Sequence, residues 1–139
     1  MLICNNMDEI LNEYEFTDSV ITEMKWEDNL LDFSITVDYY WDIHEGKKTS
    51  RLLKIVFKDC VKAQFCLSEK VFAVPREHIK PANIISWFTI VLFYDENRYD
   101  VKTNFGEFTE IKIHTLDFEN PFLHIVCKDM ELYHVGCSL

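Results

Sequence analysis

The longest period-two alternation of apolar and polar residues in the chain runs from Leu30 to Trp41. Apolar residues at every second position predict a β-strand with one buried face. A second alternating stretch precedes it, and the two together predict one long β-hairpin from Phe16 to Trp41. The predicted buried positions are Val20, Thr22, Met24, Trp26, Leu31, Phe33, Ile35, Val37, Tyr39 and Trp41.

The turn of this hairpin is predicted at Asp28-Asn29, because Asp and Asn tolerate the positive φ of a two-residue turn. Folding about that point sets Lys25 opposite Asp32, which would be a favourable cross-strand charge pair. On the apolar face the same register sets Trp26 opposite Leu31, Met24 opposite Phe33, Thr22 opposite Ile35 and Val20 opposite Val37. A slip of one residue would turn the apolar face outward.

The N-terminal segment Met7–Glu15 predicts a short helix, with Asn5 or Asn6 as its cap and an apolar stripe on one side. Arg51–Leu67 predicts a strand whose phase breaks near Asp59, where a bulge or a tight turn is expected. Ser68–Asn83 is the least regular stretch, because Pro75 and Pro81 limit strand pairing.

The C-terminal half predicts further strands. Ile84–Tyr94 is apolar on both faces and predicts a central strand, followed by a turn at residues 95–97. The remaining predicted strands are Arg98–Phe105, Phe108–Leu116, Phe122–Cys127 and an edge strand Met130–Val135.

One internal echo links the two halves of the chain. The pattern L-x-I-V-x-K-D occurs at Leu53–Asp59 and again at Leu123–Asp129. It would mark two equivalent strands of a duplicated sheet, although strand composition alone also produces such matches.

About eight strands joined by short connections, with one short N-terminal helix, indicate an all-β protein. The expected architecture is an antiparallel β-sandwich or a partly open barrel. A length of 139 residues fits one domain over 1–139.

The five cysteines are an odd number without a CxxC motif, and predict free thiols in a reducing compartment. The first residues carry no basic and no long apolar region, so we expect no signal peptide. No apolar run reaches the roughly 18 residues that a membrane span requires. A cytoplasmic protein that does not contact a membrane is the expectation.

The charge of −10 is placed unevenly along the chain. Residues 1–45 contain twelve acids and one base, a net charge of −11, whereas residues 46–139 carry a net charge of +1. Such a surface repels nucleic acid and attracts basic proteins, whose association it accelerates. The alternative is a solvated face that serves solubility alone.

If the acidic third is a recognition face, its contacts are the acids that the strand phase or the turn exposes. Asp32 is set aside because Lys25 should neutralise it. Tyr40 is the predicted aromatic anchor, because an aromatic ring among carboxylates suits Lys and Arg side chains. The candidate binding residues are Glu23, Glu27, Asp28, Asp38, Tyr40 and Asp42.

No motif for catalysis or for a cofactor is recognisable. The last predicted hairpin brings His114 near His124, and Asp117 or Glu119 could join them at a metal, but no HExxH or zinc-finger spacing is present. The chain lacks a GxSxG elbow and a glycine-rich phosphate loop. The prediction is therefore a non-enzymatic protein without metal or cofactor.

Phe16-Thr17-Asp18-Ser19-Val20-Ile21, followed by an acidic hairpin and then Leu53-x-Ile55-x-Phe57-x-Asp59-Cys60, resembles small all-β bacterial proteins. Some of these are immunity proteins of polymorphic toxin systems, and the resemblance covers residues 16–67. It implies a protein that binds and blocks a cognate toxin, whose substrate-binding surface is often basic.

Two other functions are compatible with the predicted fold. One is a small-molecule carrier with an apolar cavity lined by Trp87, Phe88 and Phe93. The other is a hydrolase with an unrecognised site.

Overall fold

The computed structural model describes residues 1–67, 69–79, 84–85, 108–116 and 120–137, together with the backbone pairing of residues 87–93. Two short α-helices, α1 and α2, span Met7–Glu13 and Tyr40–His44, and 3-10 turns span Glu69–Ala73 and Arg76–His78. The strands in these ranges are β1 Leu2–Cys4, β2 Val20–Trp26, β3 Phe33–Asp38, β4 Arg51–Lys58, β5 Lys62–Phe65, β6 Trp87–Phe93, β7 Phe108–His114, β8 Leu123–Cys127 and β9 Asp129–Cys137.

The strands form two sheets in which every pairing is antiparallel. Sheet A has the order β1-β9-β4-β3-β2, and sheet B has the order β5-β8-β7-β6. The prediction of an all-β, antiparallel fold with a short N-terminal helix is confirmed. Asn6 is the cap of that helix, since its side-chain oxygen accepts a hydrogen bond from the Glu9 backbone N–H at 3.1 Å.

One hydrophobic core joins the inner faces of the two sheets. Alternation along β3, β4, β7 and β8 puts every second side chain into it, as period two requires. Burial of each such side chain contributes about 1.5–3 kcal/mol. The fully buried members on strands β3, β4, β7 and β8 include Ile35, Val37, Leu53, Ile55, Phe57, Ile111, Ile113, Leu123 and Ile125.

Two connections between consecutive strands join the sheets. The chain passes from sheet A to sheet B between β4 and β5, and returns from sheet B to sheet A between β8 and β9. Backbone hydrogen bonds tie the two crossings together, from Lys128 N to Lys58 O at 3.0 Å and from Val61 N to Val126 O at 2.9 Å. The first crossing contains Asp59 at φ 51°, in agreement with the break that the sequence predicts there.

The two sheets repeat one connectivity. In sheet A the order β2-β3-β4 is followed by β9, and in sheet B the order β6-β7-β8 is followed by β5. Strand β5 therefore joins the sheet formed by β6–β8, and β9 joins the sheet formed by β2–β4. Each residue from 51 to 60 has the same burial class as the residue 70 positions later. The L-x-I-V-x-K-D echo therefore marks equivalent strands, each ending at a crossing.

The predicted hairpin register is wrong by two residues. Trp26 pairs with Phe33, and Met24 pairs with Ile35, because residues 27–32 form a six-residue loop and not a two-residue turn. A shift of two keeps the same face inward, so the alternation could not reveal it. Beyond a β-bulge near Thr22 the phase changes, and Ile21 is buried opposite Val37.

The second arm is also shorter than predicted. Strand β3 ends at Asp38, and Trp41 lies in α2, where its indole N–H donates to the Thr17 carbonyl at 3.1 Å. Leu31, predicted to be buried, is exposed in the loop. The Lys25–Asp32 pair is absent because Lys25 faces Ser34 in the observed register.

Strand β9 corrects a further prediction. It was expected at a sheet edge, but it lies between β4 and β1 in sheet A, and its nine residues make it the longest strand described. Strand β6 pairs with β7 alone among the described residues, so a central position for it is not seen.

The predicted strand Arg98–Phe105, the turn at 95–97, and Asp117 and Glu119 lie outside the described residues, as do the side chains of residues 87–93. No helix in the described ranges has the length and apolar character that a membrane crossing requires.

Candidate functional site

The six predicted binding residues do not form one continuous face. Glu27 and Asp28 lie in the loop before β3, whereas Tyr40 and Asp42 lie in α2 after it. Strand β3 has six residues, which separates its two ends by about 20 Å. Glu23 lies between them on β2, opposite Thr36.

Asp42 is the clearest correction among these six residues. It was predicted to be an exposed contact, but its side chain is fully buried at the start of the chain's second helix. The Arg51 guanidinium donates to both of its carboxylate oxygens at 3.0 Å, the Arg51 backbone N–H donates at 2.8 Å, and Lys47 donates at 3.1 Å. Despite the opposing effect of burial, these donors lower the pKa of Asp42 to about 2. Asp42 anchors α2 and is not available to a partner.

Three more of the predicted acids have partners within the chain. Glu27 pairs with Lys54 at 2.5 Å, which lowers the pKa of that carboxyl group, and Glu23 pairs with Lys25 at 3.3 Å. Asp38 is half-buried and accepts a hydrogen bond from the Ser50 hydroxyl. The exposed Glu23–Lys25 pair contributes little to stability.

Glu23, Asp28 and Tyr40 are the predicted residues that remain exposed, and of these Glu23 is already paired with Lys25. Asp28 is exposed and forms no hydrogen bond or ion pair with the residues that the structure describes. Tyr40 is 40% exposed, and its ring contacts Trp41 and His44 on the surface of α2. Asp28 and Tyr40 lie at opposite ends of sheet A, so one compact recognition surface contains only one of them.

Asp32, which sequence reasoning set aside, organises the loop of residues 27–32. It is 4% exposed and accepts hydrogen bonds from the Lys58 ammonium at 2.7 Å, the Asp59 backbone N–H at 3.0 Å and the Asn29 amide at 3.1 Å. Despite the opposing effect of burial, these donors lower the pKa of the Asp32 carboxyl group. Two of the three donors lie more than 25 positions along the chain, so no local pattern could indicate them.

The rest of the loop is hydrogen-bonded as well. The Asn29 side-chain oxygen accepts from the backbone N–H of Leu31 at 2.9 Å and of Asp32 at 3.2 Å. The Leu31 carbonyl in turn accepts from the Cys60 backbone N–H at 2.6 Å. The loop is therefore fixed both internally and to the first crossing.

This fixed loop presents two leucines to solvent. Leu30 is 71% exposed and Leu31 is 59% exposed. Leu30 also has φ 56°, in the left-handed region that costs a residue with a Cβ about 1–2 kcal/mol. We call these two residues the loop tip.

A cleft opens beside the loop tip, where the chain crosses between the sheets. Its volume is about 600 Å³, and we call it the crossover cleft. The lining residues are Leu31, Asp59, Cys60, Val61, Phe108, Lys128 and Asp129. Asp59 and Asp129 are the last residues of the two L-x-I-V-x-K-D motifs, so the sequence echo was the available signal for this site.

The crossover cleft does not resemble a nucleophilic active site. Burial raises the pKa of the Cys60 thiol to about 11, which leaves the sulfur protonated near neutral pH. Lys128 lies over the Phe108 ring at 5.5 Å from its centroid. The chemistry on offer is apolar contact combined with carboxylate acceptors.

The predicted histidine neighbours lie on adjacent strands, with His114 two residues along β7 from the partner of His124. His124 lies opposite Lys112, and its ring Nε2 is 2.9 Å from Glu110 Oε1 on the outer face of sheet B. Burial lowers the pKa of His124, in spite of that carboxylate. No group of three potential metal ligands occurs among the described residues. All five cysteines are free, as predicted.

No family model matches this chain, and no curated protein matches it either. The resemblance of residues 16–67 to immunity-type proteins therefore stays a prediction.

Proposed function

We propose that this chain is an acidic, non-enzymatic protein-binding module that engages a basic protein through one end of sheet A. The surface consists of the loop tip, the crossover cleft and the exposed Asp28, and we call it the loop-end surface. The observation that carries the proposal is Leu30, whose backbone is held in an unfavourable conformation while its side chain points to solvent.

Leu30 contributes to stability neither by burial nor by backbone conformation. Asn or Gly would suit the left-handed backbone better, and a polar residue would suit the exposure better. The hydrogen bonds of Asn29 and Asp32 nevertheless hold the loop in this form. Backbone strain combined with rigid apolar exposure is typical of a residue that contacts a partner.

Charge supports a basic partner. Residues 1–45 carry a net charge of −11, and Asp28, Asp59 and Asp129 are exposed acids of the loop-end surface. Exposed carboxylates around an apolar centre accelerate association with a basic surface, while the desolvated centre sets the dissociation rate. The same charge disfavours nucleic acid as a partner.

The resemblance to immunity-type proteins suggests what this binding would achieve. The partner would be a basic toxin domain, and this chain would inhibit it by covering its substrate-binding surface. Such binding requires no cofactor. The five free thiols suit a reducing compartment such as the cytoplasm.

The test is a capture experiment followed by a titration. The immobilised protein is exposed to an extract of its native cell at low and at high salt, and a retained basic protein is purified and titrated against variants. We expect Leu30→Asn to weaken binding at least tenfold. Ile43→Asn, which alters an exposed apolar residue of α2 at the other end of sheet A, should leave binding unchanged.

Two results would contradict the proposal. Retention of no basic protein at low salt would mean that the acidic surface is only solubilising. A partner that is weakened by Ile43→Asn and not by Leu30→Asn would place the interface at α2, around Tyr40.

A further inference from the structure

The crossover cleft carries a more specific inference, which rests on the proposed function. Its two carboxylates, Asp59 and Asp129, occupy equivalent positions in the two repeats, at the points where the chain changes sheets. The backbone N–H of Asp59 donates to Asp32, but its carboxylate forms no hydrogen bond or ion pair with the described residues. The neighbouring Lys58 is held by Asp32 and Glu131. The repeat therefore brings two carboxylates to one cleft. That of Asp129 accepts from the Met130 backbone N–H, whereas that of Asp59 has no partner among those residues.

The remaining lining of the cleft is apolar on one side. Leu31 and Val61 are exposed there, and Phe108 is covered by Lys128. A partner side chain that suits this lining has an apolar stem and a cationic end. Arg fits better than Lys because its planar, weakly hydrated guanidinium forms paired hydrogen bonds with a carboxylate, while its methylene groups pack on apolar residues.

We propose that the crossover cleft receives an arginine side chain of the partner protein. The Asp59 carboxylate accepts hydrogen bonds from the guanidinium group, Asp129 adds a second negative charge, and Leu31 and Val61 contact the methylene stem. Lys128 remains over Phe108, so that the cleft has a net charge of −1 before the partner binds.

The experiment uses small probes, so that it does not depend on the identity of the partner. N-acetyl-arginine methylamide is titrated into the ¹⁵N-labelled full chain, and amide shifts are followed by NMR. N-acetyl-citrulline methylamide is the matched control, because it has the same shape without the charge. We expect saturable shifts at the backbone amides of residues 59–61 and 128–129 with the arginine probe, and at least tenfold weaker binding of citrulline.

Two variants identify the acceptor. Asp59→Asn keeps a residue that tolerates φ 51° and removes only the charge, so the fold is expected to stay intact and the affinity for the arginine probe to fall at least tenfold. Asp28→Asn removes a charge outside the cleft lining and should change the affinity less than twofold. Unchanged spectra away from the cleft verify that both variants are folded.

Equal shifts from the arginine and citrulline probes, or equal effects of the two variants, would overturn the arginine site. That outcome leaves the proposed function standing if the captured partner still depends on Leu30. The opposite result is that no basic partner is captured although the arginine probe binds in the cleft. That result would overturn the proposed function and leave the arginine site standing.

Discussion

Asp42 connects the buried polar structure of this protein to a measurable pH dependence. Its carboxylate is fully buried and accepts four hydrogen bonds from Arg51 and Lys47. Protonation removes the charge that these donors require. Asp42→Asn makes the same change at every pH, so wild type and variant should converge as the wild-type carboxylate titrates.

The magnitude follows from the difference between the folded and unfolded pKa. A change from 3.8 in the unfolded chain to about 2 in the fold corresponds to about 2.4 kcal/mol of stability at pH 7. Because the folded pKa is the lower one, this stabilisation is complete above about pH 5 and is lost as the pH falls toward 2. About 1 kcal/mol is lost by pH 3, and about 2 kcal/mol by pH 2.

Urea unfolding between pH 7 and pH 3 measures this contribution. Glu27, Asp32 and Glu110 also have lowered pKa values, so their stabilisation of the fold is likewise lost as the pH falls. The informative quantity is therefore the difference in the free energy of unfolding between wild type and Asp42→Asn. We expect that difference to shrink by about 1 kcal/mol over this range. For the exposed control Asp28→Asn, the difference should stay within about 0.5 kcal/mol. A difference for Asp42→Asn that is constant with pH would refute the assignment of Asp42 as a buried, ionised anchor.

Three further predictions concern stability and accessibility. Phe33→Ala should lower the free energy of unfolding by about 3–5 kcal/mol and Leu31→Ala by less than about 0.5 kcal/mol, because only Phe33 is buried; similar losses in urea unfolding would contradict the observed loop. Leu30→Asn should leave the free energy of unfolding unchanged or raise it by up to about 1 kcal/mol, so the melting temperature should not fall. A clear decrease in the melting temperature would show that the leucine stabilises the loop. An aromatic disulfide reagent should spare Cys60 and Cys127 in the native protein and react with all five thiols in denaturant without reductant; three or fewer reactive thiols would reveal a disulfide.

A large part of the fold was readable from local patterns. Alternation identified the strands around Ile35, Ile55 and Ile125, because one face of each strand must be apolar whatever its neighbours are. The Asn6 cap and the break at Asp59 were also readable, since both depend on the preferences of individual residues. These features are decided within a few residues of chain.

The candidate site was only partly readable, because a carboxylate looks the same in sequence whether it is exposed, paired or buried. Asp28 was correctly expected to be exposed, whereas Asp42 is buried by Arg51, and Asp32 is bound by Lys58 and not by Lys25. Whether each of these carboxylates is exposed, paired or buried depends on which strand the fold places beside it. The repeated motif pointed toward Asp59 and Asp129, but nothing local indicated that both line one cleft.

The sequence by itself determined which residues alternate, and therefore which side of each strand faces the core. Only the tertiary structure decided the register of β2 on β3, the interior position of β9 and the exchange of β5 and β9 between the sheets. A two-residue slip and an exchange of equivalent strands both preserve the alternation, so they leave no mark in a period-two pattern. They are decided by hydrogen bonds and ion pairs between residues far apart in the chain, such as those that hold the loop of residues 27–32 to the first crossing.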